Sequence, residues 1–466
     1  MERMGALDSA FLHLEGRNAA LSIGSVAVFE GPQPSFTEVR DALARRLPLV
    51  PRYRQRLCPV PLDLARPVWV DDPEFVFDHH LHHAALPRPG GVAELEEFVG
   101  VVMSLPLDRD RPLWEAWFVG ELEGGSWALV TKVHHSMVDG VAGMEILSRM
   151  LDPDADGHSG PEVTWSPAAL PGPWRLIADA ARERLSDPYV DVSAGLHRLR
   201  SPRKLGAAAR ATARGVLGYA SAIRPVTPST LNGRIGPDRR YRCAVVPVAD
   251  VLKVREAFGG TLNDVVLAAI SQGFRELLLR REDPPDRHKV RTMVPVSVRH
   301  ADEGGRVDNR VSALVVELPV EVEDPLDRLR AVSRRVNRAK SAHEAEAGEA
   351  VTRLAALVPP PGLAAGLHLA FRVPQRVLTT VTTNVPGPRS RLYLAGRRMV
   401  ANYPYVPIAD RVRIGIAVTS YDGMLLFGIT GDWVSTPDID VLRDALVEGL
   451  GDLVKASDDV AQAPFA

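Results

Sequence analysis

A stretch from Asp152 to Trp174, rich in proline, glycine, aspartate and serine, interrupts the regular hydrophobic pattern of this chain. Such composition without a period is typical of an exposed linker. Single hydrophobic cores usually stop growing at about 250 to 300 residues, and this chain has 466. We therefore expect two domains, at 1–160 and 236–466, joined by a linking region at 161–235.

The charge balance excludes several classes of protein. Lysine and arginine total 56 against 58 aspartate and glutamate residues, so no overall positive field favours a nucleic-acid partner. Cys58 and Cys243, the two cysteines, have no paired spacing, which argues against a disulfide framework and a cysteine zinc site. Because the N-terminus lacks the basic start and apolar run of a signal peptide, we expect a cytoplasmic protein.

Hydrophobic patterns in the first region predict an alternation of strands and helices. Strands are predicted at 19–29 and 126–133, and helices at 35–47 and 141–150. The segment 134–140, His-His-Ser-Met-Val-Asp-Gly, falls between the second strand and the second helix. Junctions of this kind often carry functional residues.

The second region shows the same alternation. Thr261 and Asp264 have the spacing of a capping box at the start of a long helix, and Asp422-Gly423 is a strong hairpin signal. Helices are predicted at 262–281 and 326–345, and strands at 241–248, 290–298, 311–320, 377–384, 412–420 and 424–429. Both regions therefore belong to the α/β class.

His135 is the candidate catalytic base. A neutral imidazole can accept a proton from a hydroxyl near neutral pH and return it to a leaving group. Acyl transfer also needs a hydrogen-bond donor for the developing oxyanion, and Asn263 suits this role by residue type. Asp139, four residues after His135, could orient the imidazole.

Other roles for these residues stay open. His135 could be a buried structural histidine, or it could share a metal ion with Asp139. The four histidines within 79–83 form the other possible metal-binding group, although such a cluster is more typical of solvated surface. Asp139 could cap a helix or pair with an arginine, and Asn263 and Asp264 could be capping residues alone.

Several motifs together resemble the bacterial wax ester synthase/diacylglycerol acyltransferase family, over nearly the whole chain. They are the His-His-x-x-x-Asp-Gly segment at 134–140, the Pro112-Leu113-Trp114 segment, the Asn-Asp segment at 261–268, and the segments 7–15, 51–57 and 231–236. The histidine motif alone also occurs in chloramphenicol acetyltransferases, carnitine acyltransferases and peptide-synthetase condensation domains. The combination of all these segments is specific for the wax ester synthase/diacylglycerol acyltransferase family.

The resemblance implies an α/β (α+β) fold of two related chloramphenicol-acetyltransferase-like domains, with an active-site tunnel between them. It implies a catalytic centre in which His135 is the base and Asn263 faces the histidine loop, with His134 and a largely structural Asp139 beside them. The residues with supporting roles would be Gly140, Asp264, Thr383 and Asn384, and those of the acyl channel Pro112, Leu113 and Trp114. Acyl-CoA would be a substrate, and we expect no cofactor and no metal.

Two segments depart from the pattern of the family. Thr383 precedes the Asn-Val-Pro-Gly-Pro segment at 384–388, where serine is usual, so a hydroxyl is retained. Leu-Ser-Ile-Gly at 21–24 replaces the common Met-His-Val-Gly. The contacts of that histidine should therefore be absent.

Two segments are candidates for contact with lipid. Residues 196–223 combine arginines with apolar side chains and contain no acidic residue, and residues 361–376 are apolar with arginines at one end. The first could instead be a solvated helix that links the domains. The longest apolar stretch, 354–371, is interrupted by three prolines, so we expect peripheral association with the inner membrane or lipid droplets rather than a spanning helix.

The leading hypothesis is transfer of a long-chain acyl group from acyl-CoA to diacylglycerol or a long-chain fatty alcohol, which yields triacylglycerol or wax ester. An alternative is a condensation-type transferase that takes its acyl group from a carrier protein. Another is a non-catalytic protein that binds lipid droplets.

Overall fold

The computed structural model describes residues 1–138, 140–157, 165–186, 229–297, 311–346, 378–409 and 411–462. Asp139 and the two candidate lipid-contact segments, 196–223 and 361–376, lie outside the described residues. The described helices are α1 (Ala6–Leu14), α2 (Phe36–Arg46), α3 (Val92–Ser104), α4 (Gly140–Met150), α5 (Pro173–Ser186), α6 (Val248–Phe258), α7 (Leu262–Arg280), α8 (Pro325–Glu346) and α9 (Ile439–Gln462). The described strands are β1 (Glu2–Arg3), β2 (Ser22–Phe29), β3 (Gln55–Cys58), β4 (Val68–Asp71), β5 (Leu81–Ala85), β6 (Trp114–Gly120), β7 (Trp127–His134), β8 (Arg239–Pro247), β9 (Val290–Ser297), β10 (Val311–Leu318), β11 (Thr380–Val385), β12 (Tyr393–Leu394), β13 (Arg397–Tyr405), β14 (Ile414–Tyr421) and β15 (Met424–Asp432).

The first sheet contains strands from both ends of the chain. Its order is β12-β13-β2-β7-β6-β5, and its pairs are antiparallel except β5 with β6. Strand β13 pairs with β2 and places Tyr403 opposite Val26. The first sheet therefore includes two strands, β12 and β13, that come from the second predicted region of the sequence.

The second sheet has the order β10-β9-β11-β14-β15-β8, and β11 runs parallel to both of its neighbours. Helix α7 packs against α8 and α9, and its residues from Asp264 to Ser271 are all buried. Side chains of these helices share one apolar core with the strands, including Ile270, Leu442 and Phe427. Because α7 is buried on several sides, the position of its first turn is fixed by packing.

Most predicted elements are confirmed to within a few residues. The capping box is present, since the Thr261 N–H donates to Asp264 Oδ2 at 2.9 Å and the Asp264 N–H donates to Thr261 Oγ1 at 3.2 Å. Asp422 and Gly423 form the predicted hairpin turn, with φ of 42° and 80°. Helix α5 begins at Pro173, where the predicted stretch 152–174 ends, and buries its apolar face on the small sheet β1-β4-β3.

The two halves are joined by buried polar contacts as well as by β13. The Tyr241 hydroxyl of β8 donates to the Pro404 carbonyl oxygen of β13 at 2.8 Å. Glu96 of α3 accepts from the Cys243 N–H at 2.6 Å and lies 3.6 Å from the Arg242 guanidinium. Burial raises the pKa of the Glu96 carboxyl despite these partners. The halves therefore meet at an interface where Tyr241 and Glu96 are buried.

Candidate active site

The histidine pair occupies the turn that follows β7. Strand β7 ends at His134, and α4 begins at Gly140. The His134 N–H donates to the Leu113 carbonyl oxygen, and the His135 N–H donates to the Leu21 carbonyl oxygen, each at 2.9 Å. Two neighbouring segments therefore hold the backbone of both histidines, and one of them is the Pro-Leu-Trp segment.

His134 is a buried residue, 1% exposed, whose ring nitrogens both face neighbours. Nδ1 accepts from the Ser136 N–H at 3.0 Å and lies 2.6 Å from the Ser136 hydroxyl. With Nδ1 as acceptor, a neutral ring carries its proton on Nε2, which makes a long contact of 3.4 Å with Glu15 Oε1. His134 is thus placed to hold the turn and is closed to a substrate.

His135 has a different environment from its neighbour. Its side chain is half-buried, and its ring stacks on Phe11 with 4.1 Å between the centroids and an angle of 23° between the planes. The backbone hydrogen bond to Leu21 and the stacked phenyl ring hold the imidazole in place. Of the two histidines, His135 is the more exposed.

Glu15 is a site residue that sequence reasoning did not single out. It accepts hydrogen bonds from Arg109 Nη2 at 2.7 Å and from the Leu21 N–H at 3.2 Å. Burial raises the pKa of the Glu15 carboxyl, but His134 and Arg109 outweigh this effect and lower the pKa to about 2. The Glu15 carboxylate therefore contacts both His134 and Leu21, the residue that holds the His135 backbone. In the sequence, Glu15 was marked only by its place in the segment 7–15 that resembles the family.

Replacement of Glu15 by glutamine should lower the free energy of unfolding at neutral pH by about 1–3 kcal/mol, the usual contribution of a hydrogen bond to a charged group. The pKa of Glu15 is lowered in the folded state, so the carboxylate contributes its full stabilisation of the fold at pH values above the ordinary glutamate pKa. This stabilisation is lost as the pH falls towards about 2. Urea unfolding of both proteins at neutral pH and near pH 3 measures the difference. A difference that does not shrink in acid would contradict the role given to the carboxylate charge.

The second half contributes a pair of asparagines. Asn263 lies in the first turn of α7, and its Oδ1 accepts from Nδ2 of Asn384, near the end of β11, at 3.3 Å. This bond occupies the carbonyl side of the Asn263 amide, so its NH₂ group points the other way as a donor. Thr383 lies beside Asn384 and is half-buried, whereas Asp264 is buried as the capping partner of Thr261.

Helix α4, which follows the histidine turn, contacts strands β13 and β14. The Met144 sulfur, one turn into α4, lies 3.7 Å from Asn402 Nδ2 and 3.9 Å from Thr419 Oγ1. In the pairing of β11 with β14, Thr419 is opposite Val385, the residue that follows Asn384. Met144 of α4 therefore contacts β14 at the residue that pairs with Val385, next to Asn384.

An apolar cavity lies between α4 and strands β6 and β7. Trp114 lines it, stacked on Tyr53 at 4.4 Å, and the indole N–H donates to the Tyr53 carbonyl oxygen at 2.8 Å. Pro112 and Leu113 are buried nearby but do not line the cavity. Its wall also includes Leu43, Leu129, Ile146, Leu147 and Met150. The cavity shares helix α4 with the histidine turn.

The sequence predicts that the histidines at 79–83 are solvated, but the structure shows that not all of them are. His80 is buried, with Nδ1 2.8 Å from the Trp114 carbonyl oxygen and its ring stacked on the indole at 4.6 Å. His82 packs against Trp117. The pattern did not reveal that β5 joins the sheet edge beside β6, which buries one of its faces. In the part of the chain that the structure describes, no group of three or more histidine, cysteine, aspartate or glutamate side chains could hold a metal ion.

Ser22 takes the place where histidine is common in the family. It lies opposite His134 in the pairing of β2 with β7 and is completely buried. Within the described ranges, its hydroxyl has no hydrogen-bond partner. The contacts of a histidine at this position are therefore absent.

The fold is that of the two-domain, chloramphenicol-acetyltransferase-like class. The first condensation domain of the CDA synthetase has this fold with a TM-score of 0.59, at 18% identity over 97% of this chain and 96% of that domain. A wax ester synthase/diacylglycerol acyltransferase from Marinobacter aquaeolei VT8 superposes with a TM-score of 0.71, at 27% identity over 98% of this chain and 100% of that protein.

Sequence comparison identifies the family within this class. A family model described as the wax ester synthase/diacylglycerol acyltransferase catalytic domain matches residues 4–266, and one for the C-terminal domain matches 307–453. A probable diacylglycerol O-acyltransferase of Mycobacterium tuberculosis is 38% identical over 97% of this chain and 95% of that protein. The chain belongs to the wax ester synthase/diacylglycerol acyltransferase family, and it is an acyltransferase.

No helix among the described residues is both long enough and apolar enough to cross a membrane.

Proposed function

We propose that this enzyme transfers a long-chain acyl group from acyl-CoA to diacylglycerol or a long-chain fatty alcohol, with His135 as the general base. The observation that carries the proposal is the contrast within the histidine pair. His134 is buried between Ser136 and Glu15, whereas His135 is half-buried and held by Phe11. Of the two, His135 combines a ring held by stacking with partial exposure.

The reaction follows from the chemistry of a positioned imidazole. His135 accepts the proton of the acceptor hydroxyl as its oxygen attacks the thioester carbonyl carbon. The resulting tetrahedral intermediate carries a negative oxygen, and it collapses when the carbon–sulfur bond breaks. The imidazolium returns its proton to the departing thiolate, so the ester and free CoA are formed and the base is regenerated.

The Asn263 amide is the proposed donor to the oxyanion. Its carbonyl oxygen accepts a hydrogen bond from Asn384, and this leaves the NH₂ group available as a donor. A donor fixed in this way loses little orientational freedom when charge develops. The apolar cavity lined by Trp114 is the proposed start of the acyl channel, since an alkyl chain needs an environment that excludes water.

The proposal is tested by release of free thiol from palmitoyl-CoA by the purified protein. Thiol should appear only when diacylglycerol or a long-chain alcohol is added, and the rate should be the same with and without a metal chelator. Acyl-carrier protein loaded with the same acyl chain serves as the second donor. Activity with that donor alone would favour the condensation-type alternative, and no transfer from any donor would favour a non-catalytic lipid-binding protein.

Replacement of Asn263 by alanine should lower kcat by about 10² to 10³, the usual effect of removing one oxyanion donor. The KM for acyl-CoA should change little, because the contact strengthens only as charge develops in the transition state. Steady-state kinetics of thiol release measure both constants. Thr261→Ala provides the control for the helix start, since it removes the capping hydroxyl and leaves Asn263 in place. An equal loss of kcat in both variants would contradict the oxyanion role.

The preferred location of the enzyme is at a lipid surface. Diacylglycerols and long-chain alcohols dissolve in membranes and lipid droplets, so the proposed acceptor reaches the active site from such a surface. We propose peripheral association of a cytoplasmic enzyme with the inner membrane or with droplets.

A further inference from the structure

Three surface segments are held together by hydrogen bonds of Arg239, a buried residue. Its backbone N–H donates to Ser104 Oγ at the end of α3 at 2.8 Å, and its guanidinium donates to the Asn18 carbonyl oxygen at 2.5 Å. The same guanidinium donates to the Asp238 carbonyl oxygen at 2.9 Å, and that oxygen also accepts the Trp433 N–H at 3.1 Å. The loop 16–19, the end of α3 and the turn 433–434 therefore form one surface.

This surface exposes four apolar side chains to solvent. Val434 is 77% exposed, Val101 63% and Leu105 52%, and Trp433 remains 42% exposed beside them. Tryptophan is enriched at the interface between water and lipid because its ring is both apolar and polar. Large apolar groups gathered at loop tips indicate an interaction surface.

The charge of the surface favours an anionic partner. The Arg240 guanidinium lies over the Trp433 ring, 3.9 Å from its centroid, and its Nε donates to the Trp433 carbonyl oxygen. Arg17 is exposed on the loop 16–19, and Asp238 supplies one opposing negative charge. Basic groups near an anionic leaflet add to the binding that buried apolar groups provide.

The surface is connected to the active site by a short chain segment. The loop 16–19 begins after Glu15, which contacts His134, and it ends shortly before Leu21, whose carbonyl oxygen holds the His135 N–H. A membrane that contacts this loop would lie close to the catalytic turn.

We propose that the surface formed by Arg17, Val101, Leu105, Trp433, Val434 and Arg240 docks the enzyme on an anionic phospholipid membrane. The inference rests on the proposed function, because the lipid acceptor explains why an acyltransferase would need such a surface. Val434 and Trp433 enter the interfacial region, and the arginines contact the headgroups. This places the loop that supports the histidine pair at the membrane.

Co-sedimentation of the full chain with vesicles of phosphatidylcholine and phosphatidylglycerol tests the proposal. The double variant Trp433→Ser, Val434→Asp should lower the partition coefficient by about tenfold, since membrane affinity follows the apolar area buried. Trp174→Ser is the matched control, because Trp174 is 82% exposed on α5, a helix that packs on the small sheet β1-β4-β3. Arg240→Gln should lower binding about fivefold on these vesicles and leave binding to pure phosphatidylcholine unchanged.

A second measurement separates docking from catalysis. The double variant should keep the wild-type rate on an acceptor dispersed in detergent and lose rate only on diacylglycerol within vesicles. Leu105→Ser tests the same surface from α3 and should weaken binding as well if the loops act together. Wild-type vesicle binding by the double variant or by Leu105→Ser, or loss of binding in Trp174→Ser alone, would overturn the proposal. Absence of thiol release by the wild type in detergent would instead count against the proposed function.

Discussion

Replacement of His135 by alanine should lower kcat for acyl transfer by about 10² to 10⁴, the usual contribution of a general base. The ring is half-buried and its main packing contact is Phe11, so its removal should change the stability of the fold little. Release of thiol from palmitoyl-CoA in the presence of diacylglycerol measures the rate, and thermal unfolding measures the stability.

Two further histidine variants separate catalysis from folding. His79→Ala removes an exposed histidine of the same half and should keep the wild-type rate. His134→Ala removes a buried ring that contacts Ser136, so its main effect should be a lower melting temperature. Unchanged turnover in His135→Ala would exclude this residue as the base.

The Gly428→Ala protein should lose about 2–4 kcal/mol of unfolding free energy, because its new methyl group has no space. An ideal Cβ on Gly428 would lie 1.6 Å from the Pro404 carbonyl oxygen and 2.7 Å from the Tyr241 hydroxyl. That hydroxyl donates to the same carbonyl oxygen, so the methyl group would separate β15 and β8 from β13. Urea unfolding followed by circular dichroism measures the loss.

Gly451→Ala is the matched control for this prediction. Gly451 lies in α9, and no heavy atom would come within 4 Å of its added Cβ. Alanine is favoured over glycine inside a helix by about 0.5–1 kcal/mol, so this variant should be slightly more stable than the wild type. Equal stability of Gly428→Ala and the wild type would show that β13 can move away from β15 at no cost.

Local signals in the sequence predicted the secondary structure well. The Thr261 capping box and the Asp422-Gly423 turn depend on residues within a few positions of each other, so their physical cause is visible in the sequence. The course of β13 could not be predicted in this way. Its pairing with β2 joins distant parts of the chain, and no hydrophobic period records which strand will become the neighbour.

The site shows the same division between local and distant causes. His135 and Asn263 lie in recognisable segments, and the resemblance to the family added the expectation that they face one region. Glu15 and Arg109 escaped notice because their pairing depends on the packing of α1 against the loop after α3. His80 was predicted on the surface because the sequence does not record its hydrogen bond to the Trp114 backbone.

The late position of β13 in the chain has a consequence for biosynthesis. While the ribosome is still making the second half, β2 presents an unpaired edge, and the segment with the histidine pair rests on an unfinished sheet. Open strand edges invite pairing with other chains. A chain that ends before Arg397 therefore lacks the strand that covers the edge of β2, and this edge stays open to pairing with other chains.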